Sequence, residues 1–443
     1  MKKNKKTVIL ITTLIFGFLI RLIALNQSLW LDEGVTARTV QHFGLAQIIK
    51  DFSPNDFHPP LYYLLMKIWT AVFGYSEVAL RMPSIIFSIL SGFFIYLLGG
   101  IWAAAFFIFN PLIVYYSQEA RMYMMATFFL TGAYYFFKKI SSAEKLRKKT
   151  NIGDEIFFYL FVLLSLFTFY GSIFPIAAYF IYELYKKNFR RVFVFSLVLS
   201  GFFLIISPLL LTQLANAGQS LNQVANWSLV LGKANLKNLL LIPLKFSGGR
   251  ISFQPKWVYY AVVGSWTVFV FWTAFRGMMK NRQISFFFLI PLVLGLVVSF
   301  VTPVLQYFRF IYLIPFLSIL LSIRNIKRKN YLILSGFIIF SFVYLLIPNF
   351  HREDWKSLAS SLKDGQVYMI KTSSDPLLYY RTDLVVNDLA NLQPDLHKNR
   401  LVVIPYSADI HGVNYRETLN RNGYRLFKKE GFRELEVEHW ERY

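Results

Sequence analysis

The sequence predicts a polytopic α-helical membrane protein that ends in a small extracytoplasmic α/β domain. Of its 443 residues, 56% are hydrophobic and only 16% are charged, whereas soluble domains have about 45–50% apolar and about 25% charged residues. The net charge is +23, but the Lys and Arg residues cluster in short breaks between apolar stretches, which is the pattern of cytoplasmic loops. The basic charge therefore indicates membrane topology, and no nucleic acid partner is expected.

Apolar stretches that approach or reach the roughly 20 residues needed to cross a bilayer predict about eleven spans. They are Thr7–Leu25, Val78–Leu98, Ile101–Tyr116, Met122–Phe137, Ile156–Tyr170, Ile173–Tyr185, Val192–Leu211, Trp257–Phe275, Ile284–Val301, Phe308–Ser322 and Tyr331–Ile347. Placing the basic segments 2–6, 138–149, 186–191, 276–282 and 324–329 inside puts the N-terminus in the cytoplasm. The first apolar run lacks a small-x-small cleavage site and is interpreted as a retained helix.

Leu61–Phe73 is apolar but too short to span, and counting it would place the later basic loops on the wrong side. We therefore expect a juxtamembrane helix that lies in the interface. The predicted transmembrane module is residues 1–348, with a first outer loop at 26–60 and another at 212–256. Residues 349–443 form the predicted extracytoplasmic domain.

The terminal segment alternates helical and strand-like patterns. Asp354–Leu362 has helical spacing, and Val367–Ile370 and Leu401–Pro405 are short apolar runs typical of buried strands. No glycine-rich phosphate loop is present in the sequence, so no nucleotide cofactor is expected.

The strongest chemical signal is the acid pair Asp32–Glu33 in Ser28-Leu-Trp-Leu-Asp-Glu-Gly34, just beyond the outer end of the first span. An interfacial carboxylate can serve as a general base, because partial desolvation raises its pKa. The alternative is that both acids simply stabilise the first turn of the following helix.

Other polar residues fall at the same outer level. His58, before Pro59 and Pro60, could bind a divalent cation or a phosphate, although a lone histidine there is often structural. The turn 115–123 contains Glu119, Arg121 and Tyr123, and charges near membrane depth cost about 2.5–3.5 kcal/mol each. Arg81 and Arg309 join them. Several cations on one side of the bilayer indicate an anion site.

Taken together, the segments WLDEG, HPPLYY, LRMPS, YYSQEARMY and YFRF resemble the GT-C superfamily of glycosyltransferases that use polyprenyl-phosphate sugars. The nearest patterns are those of the protein O-mannosyltransferase-like and aminoarabinose lipid A transferase-like families. The resemblance covers most of the first 350 residues.

The resemblance implies a sugar transfer with inversion to a protein, lipid or cell-envelope glycan. It implies that Asp32 is the catalytic base with Glu33 beside it, and that the donor phosphate is bound by Arg81, Arg121, Arg309 and Tyr123. His58 and Glu119 are the implied metal or phosphate contacts, so a divalent metal is a possible cofactor. The alternatives are a flippase or transporter of lipid-linked sugars, and a polysaccharide polymerase or ligase.

Overall fold

The computed structural model describes residues 2–147, 149–226, 231–363, 365–392 and 399–443. Most of the chain before residue 349 is helical, because apolar residues run through segments that few charges interrupt. Its main helices are α1 (Lys2–Ile20), α2 (Leu31–His42), α3 (Leu61–Phe73), α4 (Glu77–Ile108), α5 (Pro111–Ser117), α6 (Tyr123–Lys145), α7 (Ile152–Thr168), α8 (Ile173–Tyr185), α9 (Phe189–Gln223), α10 (Leu236–Gly248), α11 (Lys256–Met278), α12 (Arg282–Val298), α13 (Ile314–Ser322) and α14 (Lys327–Leu346).

Helix α4 reverses direction at Gly100, whose φ of 79° and ψ of −172° are not helical. The reversal brings Ile108 back against Gly92, where an added Cβ would lie 2.5 Å from the Ile108 Cδ1 atom. A residue with a side chain would be strained at this positive φ. The predicted turn between the spans 78–98 and 101–116 is therefore confirmed, and the second of these spans is divided at Asn110, which caps α5.

Four helices in the described part of the chain are long and apolar enough to cross a membrane by length and composition, namely Glu77–Ile108, Phe189–Gln219, Lys256–Met278 and Lys327–Leu346. The first of these contains the reversal at Gly100. Large apolar side chains such as Ile15, Leu204 and Val268 are exposed on the helix surfaces, as lipid-facing residues are. The chain is a multi-pass membrane protein, while the count of about eleven spans stays a prediction.

The core of the helical part lies around two segments that are buried almost throughout, 103–127 and 310–321. A helix that is apolar on every side is typical of the centre of a large helical assembly. A helix with the predicted bounds 61–73 is present as α3, and its position in the membrane interface stays a prediction. In the predicted outer loop 212–256, α9 continues to Gln223 and α10 adds a further helix; residues 227–230 lie outside the described part.

The terminal segment forms a five-stranded mixed sheet in the order β2-β1-β3-β5-β4. The strands are β1 (Gln366–Met369), β2 (Val385–Asp388), β3 (Arg400–Val403), β4 (Tyr424–Phe432) and β5 (Leu435–Arg442), and the helices are α15 (Trp355–Ser361), α16 (Asp375–Tyr380), α17 (Ala408–His411) and α18 (Tyr415–Arg421). Strands β1, β2 and β3 are parallel, and the hairpin β4–β5 pairs antiparallel with β3. The two predicted strands are present, and the other three were not predicted.

The terminal sheet segment packs directly on α2, the helix that carries the acid pair. Gly34 allows this close approach, because a Cβ at that position would lie 2.5 Å from the backbone nitrogen of Pro376 in α16. The Tyr380 hydroxyl accepts a hydrogen bond from the Leu29 backbone N–H at 2.9 Å. Contacts with the terminal segment thus help to position the start of α2.

Candidate active site

The two adjacent acids at the start of α2 have different surroundings. The Asp32 side chain is 35% exposed, whereas the Glu33 side chain is 2% exposed. Consecutive helical residues point about 100° apart, so one acid faces outward while the other enters the core. The pair therefore provides one accessible carboxylate, that of Asp32.

Glu33 forms a buried two-point ion pair with Arg81, at 2.8 Å from Nε to Oε1 and 2.6 Å from Nη2 to Oε2. The Ala120 N–H also donates to Glu33 Oε1. The other Arg81 hydrogen bonds go to the carbonyls of Leu25, Gln27 and Ser28. The sequence places Arg81 at the donor phosphate and Glu33 beside the base. In the structure both side chains are buried and paired with each other, and their pairing stabilises the start of α2; their roles at the donor stay a prediction.

Arg121 lies between Asp32 and His58. Its Nη1 donates to the Tyr63 hydroxyl at 3.1 Å, its Nη2 lies 3.5 Å from His58 Nδ1, and its Nε lies 3.8 Å from Asp32 Oδ2. The side chain is only 4% exposed, and its Nε makes no hydrogen bond to any described residue. A desolvated guanidinium with a free donor beside an accessible carboxylate is suited to bind an anionic ligand.

His58 is held in place by the loop that surrounds it. The Gln213 side-chain amide donates to the carbonyls of Ser53 and His58, at 2.7 and 3.1 Å. The His58 Nδ1 atom lies 3.4 Å from Asp56 Oδ2. Burial opposes the charge of Asp56, yet His58 and Arg121 together hold its pKa below the usual value. Asp56 is therefore an ionised partner that orients His58.

Arg309 and Tyr123 both pack against the Phe308 ring. The Arg309 Nη1 donates to the Pro303 carbonyl at 3.1 Å, and its guanidinium lies 5.9 Å from the centre of the Phe308 ring. That ring packs edge to face against Tyr123, at 5.6 Å between centres. The structure thus brings the sequence-predicted Arg309 and Tyr123 together around the Phe308 ring, and the sequence-predicted Arg121 to Asp32.

A second charged cluster, formed by Arg352, Glu119 and Arg250, contacts Trp30, which stands two positions before Asp32. The Arg352 Nη2 donates to Glu119 Oε2 at 2.6 Å, and its guanidinium carbon lies 3.5 Å from the centre of the Trp30 ring. Arg250 donates to the Tyr115 hydroxyl at 2.7 Å. Glu119, expected to contact a metal or phosphate, is thus paired with an arginine.

Sequence analysis missed Arg250 and Arg352. Arg352 stands in His351-Arg-Glu-Asp354, directly after the last predicted span and on its outer side. Arg250 follows Gly248 and Gly249 at the end of α10. Extending the search for outer cations from the early motifs to the end of the last span would have found Arg352.

His58 and Glu119 are the predicted contacts of a divalent metal. Among the residues that the structure describes, no three His, Asp or Glu side chains converge to form a metal site. His58 has Asp56 beside it, while Glu119 is engaged by Arg352. Magnesium is often held by one or two carboxylates with substrate phosphates and water. The Asp56–His58 pair would therefore need the oxygens of a phosphate ligand to complete such a site.

The fold and site define a multi-pass membrane protein in which the accessible carboxylate of Asp32 lies beside the buried guanidinium of Arg121. ArnT from Cupriavidus metallidurans has the same fold: its apo structure superposes with a TM-score of 0.57 at 11% identity over 99% of this chain and 98% of that one. The structure of ArnT bound to undecaprenyl phosphate gives a TM-score of 0.57 at 12% identity, with 97% of each chain covered. No protein-family model matches the chain, and no curated protein matches its sequence. The fold expected from the motif resemblance is confirmed, since ArnT is an aminoarabinose lipid A transferase of the GT-C type.

Proposed function

We propose that this chain is an integral membrane glycosyltransferase that moves a hexosyl or pentosyl group from a polyprenyl-phosphate donor to an acceptor. The observation that carries the proposal is the accessible Asp32 carboxylate, 3.8 Å from the buried Arg121 guanidinium. Transfer from a phosphate requires a base for the acceptor and a cation for the leaving group. The ArnT structure that holds undecaprenyl phosphate supports the choice of donor, because its fold is the same.

The proposed reaction is a single displacement at the anomeric carbon. The acceptor hydroxyl oxygen attacks from the face opposite the phosphate, and the new C–O bond forms as the bond to the phosphate oxygen breaks. The bonding electrons leave with the polyprenyl phosphate, and the hydroxyl proton passes to Asp32. One displacement inverts the anomeric centre.

The leaving phosphate gains negative charge as the bond breaks. Arg121 pairs with the proposed base, and Arg309 is the second cation proposed to contact the phosphate. In comparable buried sites, one hydrogen-bond donor to a developing anion is worth about 3–4 kcal/mol. Arg352, which stacks on Trp30, and Arg250, which donates to the Tyr115 hydroxyl, form a second positive region around Tyr115.

The proposal places the protein in the cell membrane, with its N-terminus in the cytoplasm and residues 349–443 outside. The site then opens on the extracytoplasmic face, where a protein, a lipid or a cell-envelope glycan accepts the sugar. The distribution of basic segments supports this orientation. Membrane lipids surround the exposed apolar helix faces.

The test is donor turnover by purified protein in lipid nanodiscs, with synthetic radiolabelled undecaprenyl-phosphate sugars. Wild type, Asp32→Asn and the control Asp51→Asn are compared; Asp51 is an exposed acid of the same outer loop. We expect wild type and the control to release undecaprenyl phosphate, and Asp32→Asn to release it about 10²–10⁴-fold more slowly. A fully active Asp32→Asn protein would refute the role of Asp32. Failure of wild type with every sugar would refute the function.

A further inference from the structure

A cavity of about 630 Å³ lies in the terminal α/β segment, between the α17–α18 region and the β4–β5 hairpin. Small-molecule sites have volumes of about 300–1,000 Å³, so this cavity has room for a short oligosaccharide. The residues that characterise its lining are Tyr406, Asp409, Asn414, Tyr415, Arg416 and Glu436. None of them belongs to the site around Asp32.

The charges of the cavity favour a neutral ligand. Asp409, Glu434 and Glu436 bring carboxylates to its lining, and Glu436 is paired with Lys429 of β4. Arg416 is the basic residue among them, and its guanidinium is already paired with the fully buried Glu438. Carboxylates accept hydrogen bonds from hydroxyl groups but repel phosphates and acidic sugars.

The lining of the cavity is aromatic as well as acidic. Tyr406, Tyr415 and Phe432 also line the cavity. Aromatic rings provide flat apolar surfaces, and such surfaces with a few well-placed polar groups are typical of small-molecule sites. A sugar ring presents both an apolar C–H face and hydroxyl groups, so it matches this combination.

Tyr406 connects the cavity to the candidate active site. Its hydroxyl donates to Glu353 Oε1 at 3.1 Å, and Glu353 follows Arg352, which stacks on Trp30. Trp30 stands two positions before Asp32, so these contacts lead from the cavity wall to the start of α2. A ligand that fills the cavity up to Tyr406 therefore touches a residue that these contacts connect to the segment carrying the proposed base.

The outer loop that follows α9 contacts the same cavity wall. The Asn226 side-chain amide donates to the Asp409 carbonyl at 2.8 Å, and its backbone N–H donates to the Ile410 carbonyl at 3.0 Å. The two outer regions of the chain thus meet at this wall.

We propose that the cavity is the acceptor subsite and that it binds a neutral, hydroxyl-rich glycan. One hydroxyl of that glycan passes Tyr406 and reaches Asp32. The role as acceptor rests on the proposed glycosyltransferase function, whereas binding of a neutral glycan rests on the cavity itself.

The experiment measures sugar binding to the full-length protein in nanodiscs by saturation-transfer NMR. The probes are neutral di- and trisaccharides of glucose, galactose, mannose and N-acetylglucosamine, together with a phosphorylated glucosamine disaccharide. Asn414→Trp fills the cavity from an exposed lining position, and Asn420→Trp is the matched control on α18 outside the lining. Thermal unfolding of both variants confirms that they are folded.

We expect wild type and Asn420→Trp to bind at least one neutral oligosaccharide. Asn414→Trp should weaken that binding about tenfold or more, which is a loss of about 1.4 kcal/mol or more. Equal binding by both variants, or stronger binding of the phosphorylated sugar, would overturn the subsite. Donor turnover is measured on the same wild-type preparation. Sugar binding without turnover would refute the transferase function alone, and turnover without sugar binding would refute the subsite alone.

Discussion

Replacing Glu33 with Gln tests whether the two adjacent acids have separate roles. Glutamine keeps the size of the side chain and can still accept the hydrogen bond from Ala120, but it removes the charge that faces Arg81. The side chains of Glu33 and Arg81 are both about 98% or more buried. After the substitution, the Arg81 guanidinium would therefore stay desolvated. Removing one partner of a buried pair costs about 3–5 kcal/mol. Because three backbone carbonyls still bind Arg81, we expect the lower end, about 3 kcal/mol.

Asp32→Asn should show the opposite behaviour. The Asp32 carboxylate is 35% exposed, lies 3.8 Å from Arg121 and makes no hydrogen bond to its Nε. Arg121 keeps its hydrogen bond to the Tyr63 hydroxyl, so the loose contact with Asp32 contributes about 0–1 kcal/mol. The free energy of unfolding should therefore change little. Loss of a general base lowers the rate about 10²–10⁴-fold, so transfer by this variant should fall by that factor.

The assay combines thermal unfolding, followed by tryptophan fluorescence, with the initial transfer rate per folded molecule. Unfolding of large membrane proteins is often irreversible, so all proteins are heated at the same rate. Glu33→Gln should unfold at a lower temperature and keep a measurable rate per folded molecule. Asp32→Asn should unfold with wild type and be nearly inactive. The reverse pattern, a stable inactive Glu33→Gln and a destabilised Asp32→Asn, would refute the assignment of roles.

Three further outcomes follow from the site. Arg352→Lys should lower single-turnover donor cleavage, by up to about 10²-fold, because lysine lacks the plane that stacks on Trp30; a wild-type rate would contradict this. The pKa of Asp56 is below its unfolded value of about 4, so its contribution to stability is present above that pH and disappears as the pH falls through the folded pKa. Asp56→Asn should therefore lose less stability than wild type on acidification, as measured by thermal unfolding; an unchanged pH profile would contradict the pairing with His58. Donor turnover should persist in EDTA, since arginines provide the positive charge next to Asp32; a loss that Mg²⁺ or Mn²⁺ restores would show metal dependence.

The features that follow from local sequence were predictable. Leu61–Phe73 is shorter than a span and is apolar throughout, and the structure has a helix with these bounds. Gly99–Gly100 predicts a reversal because glycine tolerates the positive φ that Gly100 adopts. The hairpin β4–β5 was missed, because its exposed strand β4 alternates few apolar residues.

The roles of individual charges were less predictable, because they depend on distant partners. Nothing in the segment Trp30–Gly34 shows which acid is buried, since the choice depends on Arg81, 48 positions later. Arg81 and Arg121 look equivalent in sequence. In the structure, however, Arg81 donates to three backbone carbonyls, whereas the Arg121 Nε makes no hydrogen bond to any described residue. Long-range pairing therefore separates the stabilising residues from those that can bind a ligand.

Residues of the terminal segment form part of the candidate active site. Arg352 covers Trp30, Pro376 packs on Gly34, and Tyr380 holds the Leu29 backbone. The contacted residues Leu29, Trp30 and Gly34 stand on both sides of Asp32 in the sequence. The position of the proposed base therefore depends on residues more than 300 positions away. The same segment contains the cavity whose Tyr406 donates a hydrogen bond to Glu353, the residue after Arg352. One element thus positions the base and carries the proposed acceptor subsite, so a bound acceptor would meet an Asp32 already fixed for proton transfer.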